Sequence, residues 1–436
     1  MSPSPDHPPH RPLGDLESFF AWGSARYGTY TQVSPLVCEG KLDLPRLQKA
    51  AQRLAERWPL LSSTIVTGGD GRPILAPIRD VALDLRIIPR VDENQWRSAA
   101  ERLINEPFPA PAPAGGEVSS SPLWSLTVLA GEDRCELVLR IHHAICDGLG
   151  VAPFFHTLLQ TYADLEHSEA AAPEPRPIAP PLETFLPAGA RTAATLRFFA
   201  EEAKNLVRNP RPVAAHAGSL QRTVPRFGSL SADETRAILQ AAKANGTTLN
   251  TALCAAALLV AFEVLPDRRR VAFQTNIDLR RRQPVPVAPE QLGLYIYWVK
   301  TWHGRPSGSF WEFARAYHAS LTGAIGRTGL PPWGFSRVAR TFLAPAADKH
   351  PLLCTSDAIV SNTGVLPMAE DYGGVRPREL YTATCQTRVG TRYCWLVGTL
   401  HGRLGVAAFV RDPLDPPEMA ERLVERLRHH LLLGCG

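Results

Sequence analysis

Between residues 169 and 190 the chain reads EAAAPEPRPIAPPLETFLPAGA, with prolines at 173, 175, 177, 180, 181 and 187. Proline fixes φ and has no N–H, so such a stretch fits neither a helix interior nor a central strand. It predicts a linker at 169–190, dividing the chain into an N-terminal half, 15–168, and a C-terminal half, 191–436. A single core rarely grows to fill 436 residues, so two halves with separate cores agree with the length. The opening MSPSPDHPPHRPLG is polar and proline-rich, and residues 1–14 read as a disordered N-terminus.

Each half mixes helices and strands. In LDLPRLQKAAQRLAERWPLL, Pro45 suits a first helical turn, Leu47, Ala50, Ala51, Leu54 and Trp58 recur at helical spacing, and Pro59 ends the run. SSTIV and PILAP read as short strands, and LWSLTVLA and CELVLRIHH as a hairpin turning at Gly131-Glu132-Asp133. Val151, Phe154, Phe155, Leu158, Leu159 and Tyr162 then mark an amphipathic helix. In the second half, SADETRAILQAAKANG carries a Ser231/Glu234 capping box, and TLNTALCAAALLVAFEVL is apolar enough to be buried. RVAFQTNIDLRRR, LGLYIYWVKTW and SDAIVSNTGVL read as strands, RYCWLVGTLHGRLGVAAFV as a hairpin at His401-Gly402, and PEMAERLVERLRHHLLL as a closing helix. The fold class expected is α/β, with α+β layers in both halves.

The stretch that carries chemistry is IHHAICDG, Ile141 to Gly148. Chance occurrence of His-His-x-x-x-Asp-Gly in a chain of this composition is on the order of one in a thousand. Along the preceding strand the apolar residues are Cys135, Leu137, Leu139 and Ile141. A regular strand alternates faces, so His143 continues the apolar row while His142 points away with Glu136 and Arg140. Two diverging imidazoles argue against shared metal ligation. They favour one working histidine in a dry interior, able to accept a proton near neutral pH, and one supporting histidine. Gly148 permits a tight turn, and Asp147 can bond the turn's backbone or a basic residue.

These residues resemble the HHxxxDG signature of the CoA-dependent acyltransferase superfamily, which includes chloramphenicol acetyltransferase, plant acyltransferases, nonribosomal peptide condensation domains, and alcohol and polyketide-associated acyltransferases. KLDLPRLQKAAQRLAERWPLLSSTI is similar to the superfamily's first helix and strand. TNIDLRRR and VSNTGVL resemble segments of the alcohol acetyltransferase and polyketide-associated branch, the closest one. The resemblance implies two chloramphenicol-acetyltransferase-like halves forming a V-shaped pseudo-dimer with a central tunnel. It implies His143 as general base, with His142, Asp147 and Gly148 supporting. Asp147 pairs with an arginine from the other half, Arg280 or alternatively Arg281 or Arg282. Ser361 and Asn362 are candidates for an oxyanion site, and Tyr295, Tyr297 or Trp298 for lining the acceptor channel. The plant-type DFGWG motif is missing; its nearest string is Asp371-Tyr372-Gly373-Gly374.

The implied activity is transfer of an acyl group from a thioester to a hydroxyl, forming an ester in natural-product or lipid biosynthesis. An amide-forming condensation enzyme with an amine acceptor and a non-catalytic carrier-docking relative are the alternatives. The co-substrate is a CoA or phosphopantetheine thioester, delivered as acyl-CoA or on an acyl or peptidyl carrier protein. No permanent cofactor or metal is expected, and the chain reads as a monomer. The 8 cysteines form no CxxC pair, which removes zinc and disulfide-scaffold readings and points to a reducing, cytoplasmic setting. A net charge of +5 without a dense basic stripe excludes a nucleic-acid binder. No apolar run reaches the roughly 18 residues of a membrane span.

Overall fold

Defined structure begins before the proline-rich start is over. The computed structural model describes residues 11–116, 118–167, 174–185, 196, 200, 221–280, 287–328, 340–341, 344–349, 354–387 and 390–435. Its first strand, β1 (Arg11–Pro12), pairs with Leu75 and Ile74. The expectation of a disordered 1–14 is therefore wrong for residues 11–14. Arg11 forks onto Glu17 at 2.8 and 2.9 Å, Glu17 also accepts the Gly14 N–H, and Leu13 is buried. Residues 1–10 lie outside the described residues.

The elements follow in chain order. They are α1 (Asp15–Tyr27), β2 (Thr31–Glu39), α2 (Leu44–Arg57), β3 (Ser63–Thr67), β4 (Pro73–Pro77), β5 (Leu85–Pro89), α3 (Gln95–Ile104), β6 (Trp124–Ala130), β7 (Arg134–His142) and α4 (Gly148–His167). Then come β8 (Arg222–Leu230), α5 (Ala232–Ala244), α6 (Leu249–Val264), β9 (Arg270–Asp278), β10 (Ile296–Gly304), α7 (Phe310–Thr328), α8 (Ala344–Lys349) and β11 (Cys354–Val365). The last are β12 (Arg376–Leu380), β13 (Ala383–Thr384), β14 (Gly390–Leu400), β15 (Arg403–Asp412) and α9 (Glu418–Leu433). The helix, hairpin and capping predictions are met: Pro45 sits in the first turn of α2, Ser231 and Glu234 form the capping box of α5, and the last hairpin turns at His401-Gly402, both with positive φ. No single helix among the described residues is long and apolar enough to cross a membrane.

These elements form two compact units, and the units do not follow the linker. The first takes the described residues up to Phe185, plus Arg280–Tyr295 and Leu366–Cys385. The second takes those of Leu186–Leu279, Ile296–Val365 and Gln386–Gly436. The sequence reading drew one contiguous half from 191 to 436, yet two of its segments fold with the first unit. The physical cause is strand pairing: β12 and β13 add to β2. The described part of the linker also packs on the first unit. Arg176 donates its N–H to the Arg57 carbonyl at 2.8 Å, and Glu183 accepts the N–H groups of Asp15 and Leu16 at the start of α1.

In the first unit the main sheet runs β12-β2-β7-β6-β5, with β13 also on β2 and a small sheet β1-β4-β3 beside it. β2 is a strand the periodicity does not announce, because Pro35 sits in its middle. Pro35 is tolerated at a break in the outer ladder: β12 pairs with Leu36–Glu39, β13 with Gln32–Val33, and between them only the Pro35 carbonyl is used, by the Tyr381 N–H at 3.1 Å. In the second unit the sheet runs β10-β9-β11-β14-β15-β8. Its two central pairings, β9 with β11 and β11 with β14, are parallel and the rest antiparallel. α6, buried along most of its length, packs on β9 and β11 and touches α5, α7 and α9.

Candidate active site

β7 delivers the motif. It is paired along its length with β2 and β6, and Cys135–His142 are all buried. The alternation expected for a half-exposed strand is replaced by burial of both faces, because α3 covers the polar one. Its charged residues are matched there. Glu136 meets Arg90 at 2.9 Å, and Arg140 donates to the Glu106 and Pro107 carbonyls and lies over the Phe108 ring at 3.8 Å.

The strand ends at His142, one residue earlier than the parity argument assumed, and His143 opens the turn. The imidazoles nevertheless meet different surroundings. His142 lies against Phe108, with ring centroids 5.3 Å apart, and its Nδ1 accepts the Ala144 N–H at 3.0 Å. That bond places the ring proton of the neutral form on Nε2. Burial, reinforced by the neighbouring His143 and Arg140 charges, pushes the His142 pKa down to about 3. His143 is stacked on Phe20, at 4.6 Å and 18° between planes, and is 7% exposed. Burial also lowers its pKa, against the opposing pull of its own carbonyl, the Asp147 charge and the Cys146 carbonyl. Its Nδ1 has no hydrogen-bond partner among the described residues. His143 is thus held neutral at pH 7, the form that accepts a proton. Its backbone is seated by a 3.1 Å bond from its N–H to the Tyr30 carbonyl. Tyr30 has φ +66, a left-handed conformation costly for a bulky residue, and its ring packs edge-on to Phe20 at 4.5 Å.

Asp147 locks the turn. It is fully buried and accepts Arg280 at both oxygens, 2.9 and 3.0 Å. It caps α4 by accepting the Leu149 and Gly150 N–H groups at 3.1 and 3.2 Å, and it also takes the Tyr295 N–H at 2.9 Å. Its own N–H reaches the Gly293 carbonyl at 3.1 Å. Bidentate pairing adds direction as well as strength. Gly293 has φ +148, where a side chain would strike the Tyr295 ring, so glycine is required for the segment to reach Asp147. Arg280 comes from the C-terminal half of the sequence but folds in the first unit, through the returning segment 280–295. Arg281 and Arg282 lie outside the described residues.

The structure therefore gathers His142, His143, Asp147, Gly148, Arg280 and Tyr295 in one unit. Tyr295 is a buried part of the lock, with Arg280 over its ring at 5.1 Å. Tyr297 and Trp298 lie on β10 in the second unit, stacked on each other at 5.4 Å. Ser361 and Asn362 are also in the second unit, inside β11 at a bulge. Asn362 spends its amide locally, donating to Asn250 at 3.3 Å and accepting the Gly364 N–H at 2.9 Å. Asp371-Tyr372-Gly373-Gly374 forms a turn closed by a Tyr372–Val375 bridge, with both glycines at positive φ, and Tyr372 anchors it to His156 of α4 at 2.8 Å. Phe20, Tyr30 and Gly293 were not picked out from the sequence; no motif marks them, because each matters only through a contact made in the fold. Among the described residues no group of three His, Cys, Asp or Glu side chains is placed to hold a metal ion.

Residues 24–299 match the condensation-domain family. The chain belongs to that family. Residues 221–408 of this condensation-family protein also match the C-terminal region of phthiocerol/phthiodiolone dimycocerosyl transferase. Tyrocidine synthase 3 of Brevibacillus parabrevis is 29% identical over 142 residues, 32% of this chain and 2% of that protein. Chondramide synthase cmdD of Chondromyces crocatus is 27% identical over 272 residues, 59% and 6% of the two. The chain spans only a few per cent of the length of these curated relatives. Three solved structures share its fold along nearly the whole chain. The first condensation domain of the calcium-dependent antibiotic synthetase has a TM-score of 0.74, at 18% identity and 98% and 96% coverage. Trichothecene 15-O-acetyltransferase TRI3 of Fusarium sporotrichioides has 0.73, at 14% identity and 97% and 95% coverage. Polyketide synthase associated protein 5 of Mycobacterium tuberculosis has 0.67, at 15% identity and 98% coverage of each chain.

Proposed function

We propose that this condensation-family protein transfers an acyl group from a thioester to a hydroxyl, forming an ester, with His143 as general base. The observation that carries the reading is His143 itself: buried, held neutral, stacked on Phe20 and set on a turn that Asp147 and Arg280 lock. The neutral imidazole takes the proton as the acceptor oxygen attacks the thioester carbonyl. The tetrahedral intermediate expels the thiolate, which recovers the proton from the imidazolium, so no acyl-enzyme is required. Tyr295 is proposed to position Asp147 through its N–H. The dimycocerosyl transferase match and the O-acetyltransferase neighbour support the ester product.

A free-standing condensation enzyme making an amide is the second reading, favoured by the condensation-domain match. The donor in either case is acyl-CoA or an acylated carrier protein. A thiol-release assay with a panel of acyl-CoAs and mixed hydroxyl and amine acceptors, run beside His143→Ala, tests both. Hydroxyl-dependent release lost in the variant supports the ester; amine-dependent release moves the product to an amide. Release retained by His143→Ala removes the base.

A further inference from the structure

The proline-rich linker meets the support of His143 through one carboxylate. Glu183 lies in a single tight helical turn, Leu182–Phe185, whose Leu182 is buried. Glu183 is half-buried and accepts the N–H groups of Asp15 and Leu16, the second at 3.2 Å. A helix begins with N–H groups that its own turns cannot satisfy. The residue before the first turn of α1 is Gly14, which has no side chain to offer them. Glu17 takes the Gly14 N–H, and the next two go to Glu183, 168 residues along the chain from Asp15. The missing side chain also makes the room: a Cβ at position 14 would stand 2.2 Å from the Glu183 carboxylate and 2.6 Å from Pro181. The linker's other ionic fastening, Arg176 to Glu290 at 3.1 Å, has both side chains partly in water, where an ion pair contributes little.

α1 is the helix that covers the His143 ring. Phe20, in its second turn, stacks on the ring. Phe19 and Phe20 both pack on Tyr30, whose carbonyl seats the His143 N–H. A helix start that loses its acceptors is where unwinding begins. The charged groups around the clamp are Asp15 and Glu17 of α1 and Arg11 of β1, which forks onto Glu17. Burial and the Glu17 charge push the Glu183 pKa up to about 7. Near neutral pH the clamp therefore works partly uncharged, and what the two N–H groups require is an acceptor oxygen at that reach. We infer that Glu183 is a positioning residue: by fixing the start of α1 to the linker, it holds Phe20 flat against the His143 ring. Its consequence for rate rests on the reading of His143 as general base.

The test follows the His143 ring by NMR titration of the full chain labelled at histidine, with the signal identified by its loss in His143→Ala. Glu183→Ala should let water reach the ring and raise the His143 pKa by about one pH unit toward the ordinary value of 6.5. Glu183→Gln keeps an acceptor of the same length and should titrate as wild type does. Gly14→Ala, which drives the carboxylate away without removing it, should shift the ring as Glu183→Ala does, and decides the matter if Glu183→Ala does not fold. In the thiol-release assay, run well below the melting temperature, Glu183→Ala should lower kcat about tenfold with KM unchanged, and Glu183→Gln should restore it. A His143 pKa unmoved in Glu183→Ala, or in Gly14→Ala where that variant decides, overturns the inference, as does an equal shift in Glu183→Gln. If the pKa moves while kcat does not, or if wild type releases no thiol, the catalytic reading of His143 fails and the Glu183 inference stands.

Discussion

The turn after β7 and the helix α6 treat buried polarity in opposite ways. Around β7, Glu136, Arg140, His142, His143 and Asp147 are all withdrawn from water, and a network of named partners supports them. In the second unit the helix on the central strands, α6, buries Ala252–Leu258 and Val260–Phe262, an almost wholly apolar run. Apolar packing stabilises without fixing direction, whereas a buried hydrogen-bonded pair is weak evidence for stability and strong evidence for a fixed geometry. The contrast assigns the β7 turn a preorganised geometry and α6 a packing role.

Four substitutions or conditions can break or sharpen that contrast. The largest effect belongs to His143→Ala, expected to lower kcat/KM by about 10²–10⁴ with little change in Tm; steady-state kinetics beside a melting curve checks it. Next is Arg280→Ala, which leaves the buried Asp147 charge without its counter-ion and should cost about 3–5 kcal/mol in urea unfolding. Removing Asp147 as well should not restore stability, because the Leu149, Gly150 and Tyr295 N–H groups then lose their acceptor. A double variant as stable as wild type would show that Asp147 is an ion-pair partner and nothing more. Leu258→Ala in α6 should cost about 2–5 kcal/mol through cavity formation while kcat stays unchanged; a large fall in kcat would end the division into site and scaffold.

The smallest effects concern pH. The base works unprotonated and burial lowers its pKa, so kcat/KM should hold its plateau below pH 6.5, the ordinary histidine value, before falling. Stability follows the same sign. His142 titrates near 3 when folded and near 6.5 when unfolded, so its contribution is complete above 6.5 and is lost as pH falls toward 3. The loss approaches about 1.4 kcal/mol per pH unit within that window. A mid-acid unfolding curve unaltered by His142→Asn would contradict the burial assigned to it.

Local pattern determined much of this protein. Periodicity located the helices and most strands, turn and cap residues bounded them, and His-His-x-x-x-Asp-Gly singled out His143, because such features involve neighbours a few residues apart. Pattern misjudged what depends on distant partners. β2 went unannounced because Pro35 is tolerable only where β12 and β13 leave a gap, and residues 11–14 were read as disordered because their anchors, Glu17 and β4, lie outside that segment. The same holds inside the site. Asp147 was legible, but the five hydrogen bonds its carboxylate accepts come from Arg280, Tyr295 and its own helix start, and the burial that holds His143 neutral comes from chain brought over it by folding. The sequence alone determined which residues were able to do chemistry. The tertiary structure decided which of them were dry, paired and fixed, because desolvation and hydrogen-bond geometry are set by neighbours that chain connectivity does not bring together.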